Sequence, residues 1–183
     1  MLKKFKSDLI KYKRYSNKSA IHVILTQQGL WAILIYRINN SIYNSKIFNP
    51  IKSILLFFGL FFQKLMEIIT GISLPYSATI GDKFYIGHFG GIIINSQSVI
   101  GNNCNISQGV TVGVSGVGKY RGVPIIGNNV YIGANAVIAG NVKIGDNVVI
   151  GANSLVTSSV EKNTTVLGVP AVKVSDNNSD LYI

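Results

Sequence analysis

His88 is the residue of this chain best placed to move a proton. It stands in Ile86-Gly-His-Phe-Gly-Gly-Ile, where Gly87, Gly90 and Gly91 contribute no side chains, so a substrate could reach the ring. An imidazole there can take a proton from a hydroxyl nucleophile. A structural histidine is the alternative, and the residues alone leave both open. His22, the other histidine, lies in a helix-like stretch far from this segment and reads as a surface side chain. The single cysteine, Cys104, has no partner for an internal disulfide; it falls on an inward position of the pattern described next and reads as an inert buried thiol. No metal is expected.

What must position His88 is a repeat of six residues running from Leu74 to about Val156. An aliphatic residue followed by a small one recurs at Ile80-Gly81, Ile86-Gly87, Ile100-Gly101, Ile126-Gly127, Ile132-Gly133, Ile144-Gly145 and Ile150-Gly151. Four residues after the aliphatic one comes a second compact or apolar side chain: Ala78, Phe84, Cys104, Val110, Val130, Ala136, Val142, Val148, Ser154 and Val160. This period matches neither a helix nor a long plain strand. It fits a short strand plus a corner, with positions i+4 and i+6 on one face and the bend at the small residue that follows. Three such sides close a triangular coil, and coils stack ~4.8 Å apart. Period-six repeats of this kind are parallel β-helices. Repeats start at 74, 80, 86, 94, 100, 106, 112, 126, 132, 138, 144, 150 and 156, thirteen in all, which make a little over four coils.

The register breaks twice. Ile86 to Ile94 is a step of eight, with the additional residues near Gly90-Gly91, and Val112 to Ile126 is a step of fourteen. The second break contains the glycine-rich segment 114–124, predicted to be a loop thrown off the prism. Insertions in repeat folds map to the functional face.

Charge divides the chain. Residues 1–70 hold eleven Lys/Arg against Asp8 and Glu67, whereas residues 71–183 hold six against five. The basic N-terminus is either a solvated helical face or a surface attracted to anionic membrane; nucleic acid is not expected, because no groove-reading motif accompanies the charge. Residues 1–72 read as a basic, apolar helical segment, broken at Asn49-Pro50, with a second helix over Ile51–Thr70. Ile54–Phe62 has no polar side chain; at nine residues it is too short to span a bilayer, which takes ~20. It is expected to pack against the barrel or a second subunit, with a membrane interface as the alternative. Residues 73–174 are then the β-helix, closed near Val166–Pro170, and 175–183 a flexible polar tail. A reducing cytoplasm is the expected location, at the inner face of the membrane if the basic arm touches lipid.

Leu74 to Val172 resembles the hexapeptide-repeat acyltransferases. The segments Ile86-Gly-His-Phe-Gly-Gly-Ile-Ile-Ile and Ile106-Ser-Gln-Gly-Val-Thr-Val-Gly resemble their serine acetyltransferase branch. The resemblance implies a mainly β fold, a left-handed parallel β-helix, assembled as a homotrimer with active sites between subunits and using acetyl-CoA. It implies His88 as catalytic base and Gly113 and Val114 as the oxyanion-binding backbone. It places the pantetheine arm along Ala134 and Ala152, the nucleotide end near Thr157, and CoA phosphates at Lys173. Asn95, Gln108 and Arg121 are expected at the acceptor.

The chain departs from the branch at several positions. The aspartate that orients the histidine is Ser73 here, so Ser73 or a backbone carbonyl is expected to hold the ring. The acid before the histidine is Gly87, the second histidine is Val123, and its neighbouring arginine is Gly122, with Arg121 adjacent. Free serine brings two charges that need partners in a desolvated site. Their absence favours a sugar hydroxyl, on a surface-polysaccharide precursor, as acceptor. Serine O-acetylation and a non-catalytic β-helix scaffold are the alternatives. The terminal Ile183 argues for the first of these, since many serine acetyltransferases end in an isoleucine that inserts into the next enzyme of cysteine synthesis.

Overall fold

The computed structural model describes residues 1–118 and 121–183; Lys119 and Tyr120, within the predicted loop, lie outside the described residues. From Ile72 the hexads become three sheets, their strands numbered along the chain. β1 (Ile72–Ser73), β4 (Ile92–Ile94), β7 (Thr111–Gly113), β10 (Val137–Ala139) and β13 (Leu155–Val156) stack as the first side. β2 (Thr79–Ile80), β5 (Val99–Ile100), β8 (Ile125–Ile126) and β11 (Lys143–Ile144) form the second. β3 (Tyr85–Ile86), β6 (Asn105–Ile106), β9 (Tyr131–Ile132), β12 (Val149–Ile150) and β14 (Thr165–Gly168) form the third, with β15 (Ala171–Ser175) antiparallel to β14 at its end. The body is a left-handed parallel β-helix behind an N-terminal helical segment, its chain visiting the three sides in turn.

The repeat accounts for the core. Every aliphatic repeat start from Leu74 to Val156 is buried, as are the inward positions from Ala78 to Ser154. Val160 is the exception. The period puts it at an inward position, yet it bridges Ile144 as a strand residue. The last coil is therefore short: Ile132 pairs with Ile150 eighteen residues on, but Ile150 pairs with Val166 only sixteen on.

The bend is not at the small residue where the period places it. Glycines there serve close approach between coils: a Cβ on Gly81 would lie 2.6 Å from Gly101 C, and one on Gly101 2.5 Å from Gly127 O. The left-handed residue comes two positions later, at Asn103, Asn129, Asn147 and Asn163, with φ between 54° and 59°. Asparagine tolerates that conformation better than most side chains. The amides also form a ladder down the corner, 103 to 129 (2.9 Å), 129 to 147 (2.9 Å) and 147 to 163 (2.8 Å).

Four helices precede the coils: α1 (Leu2–Ser16), α2 (Ala20–Thr26), α3 (Gln28–Tyr43) and α4 (Asn49–Thr70). Pro50 begins α4 rather than separating it from what precedes, since the first turn needs no N–H there. The first coil has no coil above it, so β2 and β3 would leave bare backbone groups at the prism end. Two tyrosines satisfy them. The Tyr36 hydroxyl donates to Ala78 O (2.8 Å) and accepts from Ile80 N (3.0 Å), while Tyr12 does the same for Ile86 O (2.9 Å) and N (3.1 Å). Arg37, in a buried ion pair with Asp8 (2.9 Å), also donates to Ile80 O and Gly81 O. Asp8 accepts in turn from Phe84 N. The helical segment is thus the cap of the β-helix.

Packing of Ile54–Phe62 against the barrel, and the free tail, both fail here. The apolar run Ile54–Phe62 does not pack inward within the chain; α4 buries Gly59, Gln63 and Thr70 against α3 and turns its phenylalanines outward. The tail is not free. Ser179 is buried and its N–H donates to Asn147 O, the Tyr182 ring lies 4.7 Å from Tyr131, and Tyr182 O accepts from Asn105 Nδ2. Its polar composition concealed groups that match exposed carbonyls of the third side.

Candidate functional site

His88 follows β3 at the corner between the third and first sides. β3 is fixed from above: Tyr12 holds both backbone groups of Ile86, and the Tyr12 and Tyr15 rings lie 4.5 and 4.6 Å from that of Tyr85. From below, Gly87 N donates to Ile106 O (3.1 Å). The two additional residues of the register break, Gly90 and Gly91, have φ of 99° and 67°, a conformation that favours glycine. They let the corner bulge while Gly90 O still accepts from Gly109 N of the next coil (2.9 Å). The imidazole is carried on a rigid base and is exposed.

The ring's expected holder is otherwise engaged. Ser73 Oγ donates to Glu67 Oε1 (2.9 Å), at the end of α4. Burial opposes the charge on Glu67, but hydrogen bonds from Lys64, Gln63 and Ser73 outweigh it and leave the carboxyl below its usual range. The sequence reading missed Glu67. The signal was present, a lone acid six residues before the position where the family carries aspartate.

The other candidates divide between two corners. Gln108, Ala134 and Ala152 share the His88 corner on successive coils. Ala134 O accepts from Asn153 N (2.8 Å), and the site for a Cβ on Gly133 lies 2.6 Å from Ala152 N, so these coils are in tight contact. Small side chains there leave a smooth track along the prism. Gly113, Val114 and Thr157 lie at the opposite edge of the first side, where the chain turns toward the second. There Ser115, Gly116, Ala139, Gly140 and Thr157 line an open cleft of about 290 Å³. Loop 114–124 is stapled at its base: Ser115 and Gly122 exchange hydrogen bonds of 3.0 and 3.2 Å, and Arg121 is exposed beside them.

Two candidates also hold local contacts. Asn95 Oδ1 accepts from Gln97 N (2.9 Å), which shapes the turn after β4. Lys173 pairs with Asp176 (2.5 Å), and that hydrogen bond raises its pKa. It still lines a cavity with Ser158 and Glu161, directly after Thr157. Among the described residues no cluster of His, Cys, Asp and Glu could hold a metal ion. The Cys104 thiol is pushed up to about 11 by burial, as an inert thiol would be.

Residues 124–158 match the family model described as bacterial transferase hexapeptide (six repeats). The chain is 38% identical over 174 residues to the serine acetyltransferase of Staphylococcus aureus strain Mu50, covering 93% of this chain and 77% of that one. Among solved structures it superposes on Neisseria gonorrhoeae serine acetyltransferase in complex with serine with a TM-score of 0.80, at 34% identity, covering 94% of this chain and 68% of that one. The serine acetyltransferase of Brucella abortus strain S19 in complex with coenzyme A matches with a TM-score of 0.81, at 30% identity, over 96% and 68%. The likeness extends well beyond the hexads into the helical cap.

These matches overturn the expectation of a sugar or polysaccharide-precursor acceptor. That expectation weighed the missing partners at Gly87, Gly122 and Val123 within one chain's repeat, whereas identity to serine acetyltransferases runs through 93% of the sequence. The scaffold reading falls with it. The chain belongs to the serine acetyltransferase family and is an O-acetyltransferase that takes its acetyl group from acetyl-CoA.

Proposed function

We propose that this protein transfers the acetyl group of acetyl-CoA to the hydroxyl of L-serine, forming O-acetylserine and free CoA. The observation that carries the reading is the exposed His88, held by the Tyr12-pinned β3 at a glycine-lined corner. The imidazole takes the hydroxyl proton as the serine oxygen bonds to the thioester carbonyl carbon. Negative charge then develops on the carbonyl oxygen, where a backbone N–H of Gly113 or Val114 is assigned to stabilise it; such a donor supplies ~3 kcal/mol. Collapse breaks the carbon–sulfur bond, and the proton on His88 passes to the leaving thiolate. When bound, acetyl-CoA supplies the activated acyl group, with Ala134 and Ala152 assigned to its pantetheine arm and Thr157 and Lys173 to its nucleotide end. Arg121 is assigned to the serine carboxylate and Gln108 to the acceptor side of the His88 corner.

The split of these residues over two corners supports a homotrimer. In one chain the first side of the prism separates His88 from Gly113 and Thr157. A head-to-tail ring brings one corner of each copy against the other corner of its neighbour, and three such contacts close. Acetyl-CoA and L-serine given to the purified protein should release thiol in proportion to O-acetylserine formed. His88→Ala should lower kcat by roughly 10²–10⁴ with the fold intact. Absence of serine-dependent thiol release, or a His88→Ala protein with normal turnover, would overturn the reading.

A further inference from the structure

Helix α4 is built inside out. Its buried stripe is Gly59, Gln63 and Thr70, with Asn39 Nδ2 donating to Gly59 O (2.8 Å) across the seam with α3. Its outward face carries Ile54, Phe57, Phe58, Phe61, Phe62 and Ile68, between 50% and 83% exposed. With aromatic side chains offering ~150–250 Å² each, that is on the order of 700 Å² of apolar surface. Patches beyond a few hundred Å² mark contact sites.

Two observations identify what covers it. The first is charge. The acids of the helical segment are both engaged internally, Asp8 with Arg37 and Glu67 with Lys64 and Ser73. Lys3, Lys6, Lys13, Arg14, Lys18 and Lys46 remain exposed. The first turn of α1 adjoins the start of α4: Met1 and Lys4 line one cavity with Ser45, whose carbonyl accepts from Lys52 Nζ (3.3 Å). The basic start of α1 therefore lies beside the N-terminal end of the apolar helix, with Lys46 and Lys52. A second copy brought to this face would carry the same uncompensated positive charge, whereas an anionic surface would neutralise it. The second is polarity. Protein interfaces ring an apolar centre with hydrogen-bonding groups, and the outward face of α4 offers few, chiefly Ser53 and Lys64.

We propose that α4 rests in the interface of an anionic lipid bilayer, its phenylalanines in the acyl boundary and the lysines of α1 at the headgroups, on the cytoplasmic side. At 22 residues the helix is long and apolar enough to cross a bilayer. Its seam with α3, and its passage through Gly71 directly into β1, hold it in the interfacial plane.

The test is co-sedimentation of the full-length protein with vesicles of phosphatidylcholine alone and of phosphatidylcholine with phosphatidylglycerol. Binding is expected to the anionic vesicles and to weaken with salt. Phe57→Ser/Phe61→Ser/Ile68→Ser, at exposed positions, should weaken it by at least about tenfold. Lys3→Glu/Lys6→Glu/Lys13→Glu should remove the preference for phosphatidylglycerol. Failure of the wild type to bind anionic vesicles, or equal binding by the serine variant, overturns the proposal. Light scattering that shows the serine variant dissociating while the wild type ignores vesicles assigns the face to a second copy instead. Acetyl transfer in vesicle-free solution should be unchanged in the serine variant, so this test stands apart from that of the reaction.

Discussion

Ser73 Oγ donates to Glu67 Oε1 over 2.9 Å, which sets a carboxylate beside the strand position where the family carries an aspartate. Ser73 pairs with Ile93, in the strand that leaves the His88 corner. Glu67→Gln should therefore lower kcat for acetyl transfer by about tenfold, the equivalent of ~1.4 kcal/mol, with KM for serine little changed. Glu67→Asp should recover part of the loss. A fall in Tm with kcat preserved would mean that Glu67 only braces the end of α4.

The same carboxylate makes a pH prediction. Its folded-state pKa is depressed, burial being outweighed by the bonds from Lys64, Gln63 and Ser73. The stabilisation is present above the unfolded value, ~4.3, and is lost as pH falls through the lower folded value. Tm of the wild type should drop more steeply on acidification than that of Glu67→Gln.

Lys11 has a linkage of the same sign in an alkaline window. Its ammonium donates to Asn103 Oδ1 (2.8 Å), closing the acceptor end of the asparagine ladder, yet burial lowers its pKa to about 8. Between that value and ~10.4 the unfolded chain binds the additional proton, so this residue's contribution to stability rises with pH. Wild type minus Lys11→Met should give a positive slope of Tm against pH across that window and a flat line below it. A flat difference throughout would remove the buried charge from the account.

Much of this was legible in the hexads. The period found the sides, nearly every buried position, both insertions and the His88 corner, because a strand–corner unit forces one side chain inward at fixed intervals. It failed at Val160, where the last coil drops two residues without any break in composition. It also left the left-handed corner residue unassigned, although Asn recurs at Asn103, Asn129, Asn147 and Asn163. The roles of Tyr12 and Tyr36 could not be seen, since they bond strands more than 40 residues away. The outward phenylalanines of α4 were misplaced for a related reason: apolar composition says that a surface must be covered, not by what.

The ladder offers its own test. Asn147 has φ 59° and both accepts from Asn129 and donates to Asn163. Asn147→Ala should cost about 2–5 kcal/mol, combining left-handed strain of ~1–2 with two lost amide bonds of ~0.5–1.5 each. Asn147→Gly, which keeps the conformation and loses only the bonds, should cost roughly half as much. Equal losses in urea unfolding would show that the ladder, not the backbone, dominates.

Arg121 carries the argument about the acceptor. It is exposed at the base of the loop, its N–H bonded to Gly118 O (3.1 Å), beside the Ser115–Gly122 staple that fixes where the segment leaves the prism. With Gly87, Gly122 and Val123 lacking charge, it is the cation that the described part of the loop offers to a serine carboxylate. A charged hydrogen bond of that kind is worth ~1.5–3 kcal/mol. Arg121→Ala should then reduce kcat/KM for L-serine by roughly 10–100-fold, chiefly through KM, with Arg121→Lys intermediate because it keeps charge but loses the bidentate fork. KM for acetyl-CoA should be unaffected. His88→Ala should instead act on kcat, so the two variants separate binding from proton transfer. An Arg121→Ala enzyme with the wild-type KM for serine would place the carboxylate against another group, and the loop would lose its assigned part in recognition.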